Sequence, residues 1–309
     1  MNTDSAPLEV LVFGSAIIDF ICYTPRLPAA GETLHGHKFQ RGYGGKGANQ
    51  CVAAARLGSR CAFVGKLGDD SFGADYLCQL CTEHVNVKYV EKLPGQSTGI
   101  AQIAVADGGE NNIIIVAGAN DSLSANDVNQ AKKLFEQAKV LVCQLETPVD
   151  ATLAALRQFK GISIVNAAPA MAKTPPELLQ LASILCVNET EAALMTGVAS
   201  ICSISEAFVA IQRLIELGAN TVIITLGKLG AVYACNIDGR QLKEHVTAPQ
   251  VPPELVVDTT GAGDAFIGAL AHHLAQYPEG ELSAHIAAAC AVASKSVQLP
   301  GTQASFPRA

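Results

Sequence analysis

The chain has 309 residues, 49% hydrophobic and 16% charged, with 21 Lys and Arg against 28 Asp and Glu for a net charge of −7. An apolar fraction this high with charge this sparse excludes a disordered chain, and 27 glycines without a triplet period exclude a collagen-like one. The length suits one large α/β domain or two modest ones with a substantial core.

No basic block interrupts the sequence, so nucleic acid and anionic membrane are poor partners. Trp is absent and aromatic residues make up 5%, which argues against a stacking platform for bases. The longest apolar runs, such as Ile113 to Ala119, fall far short of the ~20 residues that span a bilayer. The first 20 residues carry Asp4 and Glu9 and lack a basic segment before an apolar run, unlike a secretory signal. Ten cysteines scattered among apolar residues therefore read as buried, reduced thiols. Cys78-Gln-Leu-Cys81 has C-x-x-C spacing, but no second pair or nearby His completes a zinc site. It reads as two core positions on one helix face.

Leu8 to Gly14 predicts a strand closed by glycine, and Gly47 to Leu57 an alanine-rich helix. Cys61 to Val64 predicts a short strand and Ser71 to His84 a helix. Ser124 with Asp127 three positions on predicts a capped helix to about Ala138. Val140 to Leu145 predicts a buried strand, with a helix from about Pro148. Strands follow at Ile162 to Asn166, Ser183 to Val187 and Thr221 to Leu226, separated by helices. Ala262 to Gln276 and Ser283 to Val297 predict two long terminal helices. Alternating units with fully apolar strands imply a parallel sheet covered on both faces, with ligands at the carboxyl ends of its strands.

Two regions break the alternation. Thr33 to Tyr43 is polar and strand-like, and Thr98 to Ala106 with Asn111 to Ala117 alternate around the turn Asp107-Gly-Gly-Glu110. They imply a small separate sheet whose apolar face needs a ligand or a second subunit.

Four segments carry chemistry. In Asp258-Thr-Thr-Gly-Ala-Gly-Asp264, directly before a helix, Gly261, Ala262 and Gly263 let backbone amides converge at a positive helix end that binds anions. Asp264 then sits in the first turn, placed to accept the proton of an attacking hydroxyl while the amides stabilise a transferring phosphoryl group. Gly42-Tyr-Gly-Gly-Lys-Gly-Ala-Asn49 contains G-x-G-x-x-G, but lacks a convincing acidic partner ~20 residues on, and there is no Walker A loop. It is equally a tight turn opening a helix and a close approach of backbone to ligand, with Lys46 and Asn49 as anchors. Asn188-Glu-Thr-Glu191 after a strand is either a capped helix start or a set of groups that orient water around Mg²⁺. Thr225-Leu-Gly227 is another strand end with a glycine turn, suited to a nucleotide. Asp19 and Glu146 put further acids at the same rim.

Taken in order, GGKGANQ, NETE and DTTGAGD resemble the ribokinase-like (PfkB-type) carbohydrate kinases over nearly the whole chain. Gly31 to Phe39 through Asn49, Ala117-Gly-Ala-Asn120 and Cys143-Gln-Leu-Glu146 are similar to its ribose-directed branch rather than to the fructose or adenosine relatives. The resemblance implies one α/β/α sandwich over residues 1–309, with a mostly parallel central sheet and a lid of strands within about 22–43 and 97–117. It also implies phosphorylation of D-ribose at its 5-hydroxyl by ATP with Mg²⁺, in a cytoplasmic or nuclear enzyme that dimerises through the lid.

Residue by residue, Asp264 matches the base and Gly261, Ala262 and Gly263 the anion hole. Asp19, Gly45, Lys46, Asn49 and Glu146 match sugar-binding positions, and Ala101, Ile103 and Ile115 match lid side chains over the sugar. Asn188, Thr225, Gly227, Gly230, Gly263 and Cys290 match nucleotide positions, with Glu191 near Mg²⁺. Asp258, Thr260, Ser296, Leu299, Gly301 and Ser305 match a site for activating K⁺. Two positions depart from the family pattern. Ile17 stands where many bacterial members carry Asn, and Cys290 stands where a polar residue often faces adenine.

Overall fold

A computed structural model describes residues 7–237 and 240–309; Asp4 and the rest of residues 1–6, and residues 238–239, lie outside it. In chain order the elements are β1 (Val10–Phe13), β2 (Ile17–Thr24), β3 (Lys38–Gly44), α1 (Lys46–Arg56), β4 (Cys61–Gly68), α2 (Ser71–Thr82), β5 (Asn86–Leu93), β6 (Gly99–Ala106) and β7 (Asn111–Val116). Then come α3 (Ala125–Gln130), α4 (Lys132–Gln137), β8 (Val140–Cys143), α5 (Val149–Gln158), β9 (Ile162–Asn166), α6 (Pro176–Leu181), β10 (Ile184–Asn188), α7 (Glu189–Thr196) and α8 (Ile204–Glu216). The chain ends with β11 (Thr221–Thr225), β12 (Ala231–Ile237), β13 (Arg240–Val246), α9 (Ala262–Gln276) and α10 (Leu282–Ser296).

Nine strands form the main sheet in the order β13-β12-β11-β10-β9-β8-β1-β4-β5. Every pairing from β11 to β5 is parallel; β12 and β13 add an antiparallel edge. Alternate residues of β1 serve two cores. Leu11 and Phe13 join Leu141, Val165 and Leu185 on one face, while Val10 and Val12 join Phe63, Tyr76 and Leu270 on the other. Both faces are thus covered, as a continuous apolar strand requires. The chain leaves β1 toward β4 and later returns to β8 on the other side of β1. That reversal opens a crevice at the carboxyl ends of β1 and β8, where ligands of doubly wound sheets bind.

The second sheet has the order β3-β2-β6-β7. It begins earlier than expected: its inner strand β2 starts at Ile17, ahead of 22, with Asp19 as its third residue. Of the polar stretch from Thr33, only Lys38–Gly44 is extended in the ladder. β7 lies exposed along its whole length, with Ile113 to Val116 each at least half accessible.

Two other expectations are corrected, and one strand had none. The helix expected over 124–138 divides at Ala131 into α3 and α4, though Ser124 and Asp127 do form the capping box. β5, with Lys88, Glu91 and Lys92, is a polar edge strand and shows no apolar run to read. Cys22, Cys78, Cys81 and Cys202 are exposed rather than buried. Cys78 and Cys81 do share a helix face, but α2 buries Gly73, Tyr76 and Leu80, so the cysteine face is the outer one. All ten thiols are free.

Candidate active site

The crevice draws on five strand ends. After β1, Ser15 donates from Oγ to Glu146 Oε2 (2.5 Å), and the Lys46 amide donates to the same oxygen (2.8 Å). This ties the loop after β8 to the start of α1. Gly45 makes the tie possible. Its φ is +83°, and a Cβ there would lie 2.7 Å from the Ile17 nitrogen, so only glycine fits the turn. Asn120 clamps the entry to β2, accepting from the Ala16 amide and donating to the Ala16 carbonyl at 2.9 Å each.

Asp264 is the third residue of α9, whose N-cap, Gly261, has φ +81°. A Cβ on Gly261 would approach Thr302 Cγ2 to 2.7 Å. The Ala262 amide reaches the Thr259 carbonyl at 3.2 Å. The amides of Gly263 and Asp264 have no acceptor among the described residues, as expected of a helix N-terminus. A cavity of about 190 Å³ opens in front of them. Its walls include Lys46, Asn188, Glu191, Thr225, Gly261, Gly263 and Asp264, together with Asn166 and Cys186. The sequence thus converges at one place from segments more than 200 residues apart.

The other matched positions lie around this cavity at varying remove. Asn188 and Glu191 form a reciprocal capping box at the start of α7, with both bonds 2.8 Å. The capping role is therefore real, and it also holds the Glu191 carboxyl at the cavity wall. Gly227 and Gly230 bound a 3₁₀ turn after β11, with φ of +52° and +95°, outside the cavity wall. Cys290 is buried in the core on α10 and does not line the cavity.

Asp258 accepts from the amides of Thr260 and Gly301, both at 2.8 Å, joining the loop before α9 to the C-terminal turn. Ser296 and Ser305 are buried there with their hydroxyls on the Ala293 and Thr302 carbonyls, and Leu299 is exposed.

The small sheet brings further matched residues to the crevice through register. Asp19 pairs with Gly42 and Ala101, and Ala101 with Ile115, so one transverse row carries the acid beside two apolar side chains. Ile21, Ile103 and Ile113 form the next row on that face. Ile17, two residues before Asp19, belongs to the same face and is buried. Gly44 leaves room for the acid: a Cβ there would lie 2.3 Å from Asp19 Oδ2.

The electrostatics are lopsided, with four carboxyls around one lysine. Burial pushes the Asp19 carboxyl up, the charges of Glu146 and Asp264 add to it, and the result is about 7. Burial likewise raises Glu146 and Glu191, with Lys46 opposing in both cases. Burial alone lowers Lys46, but Asp264, Glu146 and Glu191 more than offset it, and its pKa is raised. Such a cluster is costly in the empty protein and suited to a polar, cationic or proton-sharing occupant.

The sign for Asp19 follows directly. Its folded pKa exceeds the ordinary 3.8, so the folded protein binds the extra proton and loses stability as pH rises from about 4 to about 7. Asp19→Asn is therefore expected to melt higher than the parent protein without ligand. The gap in Tm should open between pH 4 and 7 and stay level above. A Tm gap that is absent at pH 8 would contradict the buried-charge account.

Several site residues went unread in the sequence. Gln50 and Gln144 lie inside motifs already singled out, and Asn166 ends a predicted strand, so the strand-end rule could have found all three. Tyr76 and Gln303 carry no local signal; only the fold brings them next to Asn49.

Residues 8–309 match the pfkB family carbohydrate kinase model. The chain is 44% identical to ribokinase of Mus musculus over 301 residues, 96% of this chain and 91% of that protein. It is 37% identical to deoxyribokinase of Salmonella typhi, with 97% and 96% covered. The solved structure of Arabidopsis thaliana ribokinase complexed with ribose and ATP superposes with a TM-score of 0.85 at 29% identity, covering 98% of this chain and 96% of that one. With a match of that extent, the chain belongs to the pfkB family of carbohydrate kinases.

Proposed function

We propose that this protein transfers the γ-phosphoryl group of ATP to the 5-hydroxyl of D-ribose. The observation that carries this reading is the placement of Asp264. Its carboxylate stands in the first turn of α9, beside amides without internal acceptors, and within electrostatic reach of Asp19 and Glu146. The hydroxyl approaches Asp264, which accepts its proton. The Gly261–Gly263 bend stabilises the charge of the migrating phosphoryl group. Asp19, Gly45, Lys46, Asn49 and Glu146 hold the sugar hydroxyls, and Ala101, Ile103 and Ile115 cover the ring. Asn188, Thr225, Gly227 and Gly230 serve the nucleotide.

Among the described residues no group of three His, Cys, Asp or Glu gathers as a metal site. This is compatible with Mg²⁺, which keeps most of its waters and takes one or two carboxylates plus substrate phosphates. Glu191 is the carboxyl at the cavity wall placed for that part. When bound, the ion would neutralise phosphate charge facing four carboxyls. At the second place, Asp258 ties Thr260 to Gly301 through their amides, and Thr260, Ser296, Leu299, Gly301 and Ser305 would add hydroxyl and carbonyl oxygens. That donor set suits a large monovalent ion such as K⁺. Held there, it would order the loop that carries the anion-binding bend.

We also read residues 1–309 as one working unit, with the small sheet as a lid that closes on the sugar and pairs with a second copy through its exposed β7 edge. No helix among the described residues is long and apolar enough to cross a membrane; from the family resemblance we place the enzyme in the cytoplasm or nucleus.

A second acceptor is favoured by one observation. Ile17 shares the Asp19 face of β2 and offers no hydrogen bond to a hydroxyl, which would penalise a hydroxyl less when it is missing, as in 2-deoxyribose. One assay decides both points: kcat/KM for ribose, 2-deoxyribose, fructose and adenosine, each in K⁺ and in Na⁺ at equal ionic strength. Ribose is expected to lead, with higher rates in K⁺. A more than tenfold preference for another acceptor overturns the ribose assignment, and equal rates in the two salts remove the K⁺ site.

A further inference from the structure

Both oxygens of the Asp264 carboxylate are taken by neutral amides, and each amide is held by another. Gln50 Nε2 donates to Oδ1 (2.8 Å), and Gln50 Oε1 accepts from Gln144 Nε2 (2.7 Å). Asn49 Nδ2 donates to Oδ2 (2.9 Å), and Asn49 Oδ1 accepts from Gln303 Nε2 (3.0 Å). A carboxylate can only accept, so the polarity of both chains is dictated from Asp264 outward. Asn166 Oδ1 takes a further bond from Gln50 Nε2 (3.0 Å). The Tyr76 hydroxyl donates to the Gly44 carbonyl, which leaves it to accept from Gln303 Nε2 (2.9 Å).

The far ends show what this arrangement costs. With their nitrogens committed inward, Gln144 and Gln303 turn their oxygens away. Gln144 Oε1 and Gln303 Oε1 are two of only four buried side-chain polar atoms without a hydrogen-bond partner among the described residues. An orphaned buried amide oxygen destabilises a fold, and an apolar side chain of the same shape would avoid it. The backbone even makes room for it. A Cβ on Gly14 would lie 2.0 Å from Gln144 Oε1, although Gly14 has an ordinary φ. Packing of their own far ends therefore does not account for these two amides.

We propose that Gln50–Gln144 and Asn49–Gln303 are two relays that fix the plane of the Asp264 carboxylate, with Gln50, Gln144 and Gln303 as positioning residues. The inference rests on Asp264 being the base. Lys46 lies close enough for Asp264 to raise its pKa, yet the ion pairs among the described residues do not include the two. The relays hold the carboxylate off that cation, with a lone pair kept for the sugar hydroxyl.

The test measures kcat, sugar KM and Tm for Gln50→Met and Gln144→Met, alone and combined with Asp264→Asn. Misorientation of a reacting group by about 1 Å can cost on the order of 10²-fold. Gln50→Met is accordingly expected to lower kcat roughly 10- to 100-fold, and Gln144→Met, one step removed, roughly 3- to 10-fold. Sugar KM should change by less than about threefold, and Gln144→Met, which removes one orphaned oxygen but leaves Gln50 Oε1 without its donor, should melt close to the parent protein. Both kcat losses should vanish in the Asp264→Asn background. Normal kcat in Gln50→Met and Gln144→Met, with Asp264→Asn inactive, overturns the relays alone. Equal losses with and without Asp264 also overturn them, since the glutamines then act elsewhere. Near-normal turnover of Asp264→Asn itself takes down the base assignment and the relays with it.

Discussion

Asp264→Asn is expected to lower kcat for sugar phosphorylation by about 10²–10⁴, the range for a positioned general base. The size of the effect follows from geometry. The carboxylate is nine-tenths buried, and its two donors, Asn49 and Gln50, fix where it can accept a proton. Asn keeps the shape but cannot take the hydroxyl proton, and its own NH₂ would confront one of the two amide donors. Sugar affinity should fall less than kcat, because Asp19, Glu146 and Lys46 remain in place. The measurement is steady-state kinetics with varied sugar at saturating ATP, together with Tm to show that the variant folds. A loss confined to KM would recast Asp264 as a binding group; normal turnover would remove it from the chemistry. Residual activity is expected, since the helix amides and the bound geometry still act without a base.

Why Asp264 was legible from sequence, and Gln303 was not, is a matter of distance along the chain. An anion site at a helix N-terminus is a local object. Gly261, Gly263 and Asp264 share one turn, and the positive φ at Gly261 explains why glycine stands there. The same holds for Gly45 before α1 and Asn188 before α7, where strand end, turn and helix start lie within a few residues. The parallel sheet was legible too, because β1, β8, β10 and β11 are short apolar runs buried on both faces. What escaped were elements whose residues look ordinary alone. β2 carries Asp19 in mid-strand, and β5 alternates charge at an edge. Gln50, Gln144 and Gln303 are separated by up to 253 positions and meet only through tertiary folding, around an acid whose demand for donors no periodicity records. The exposed cysteines of α2 show the complementary failure. Helical spacing told correctly that Cys78 and Cys81 share a face, but not which face Tyr76 and Leu80 would bury.

Gly263→Ala is expected to separate stability from activity in opposite directions. Gly263 is the second residue of α9, and its φ is not in the left-handed region; a Cβ built there meets nothing within 4 Å. Ala is preferred to Gly in a helix by roughly 0.5–1 kcal/mol, so Tm should stay level or rise. That open space is the cavity in front of the α9 amides, which Gly263 lines. A methyl group placed there occupies ground that a phosphoryl group needs and pushes it off the Gly263 and Asp264 N–H donors. Losing one such donor typically costs about 10²–10³ in kcat, and a comparable fall is expected here, with a weaker KM for ATP. Gly261→Ala provides the contrast. There the same methyl meets Thr302 at 2.7 Å with φ at +81°, so stability and activity should fall together. Circular-dichroism melts and phosphotransfer rates on the pair distinguish the two causes. A Gly263→Ala enzyme with unimpaired turnover would mean that the phosphoryl group does not pass over the head of α9, and the anion hole would have to be sought elsewhere along the crevice.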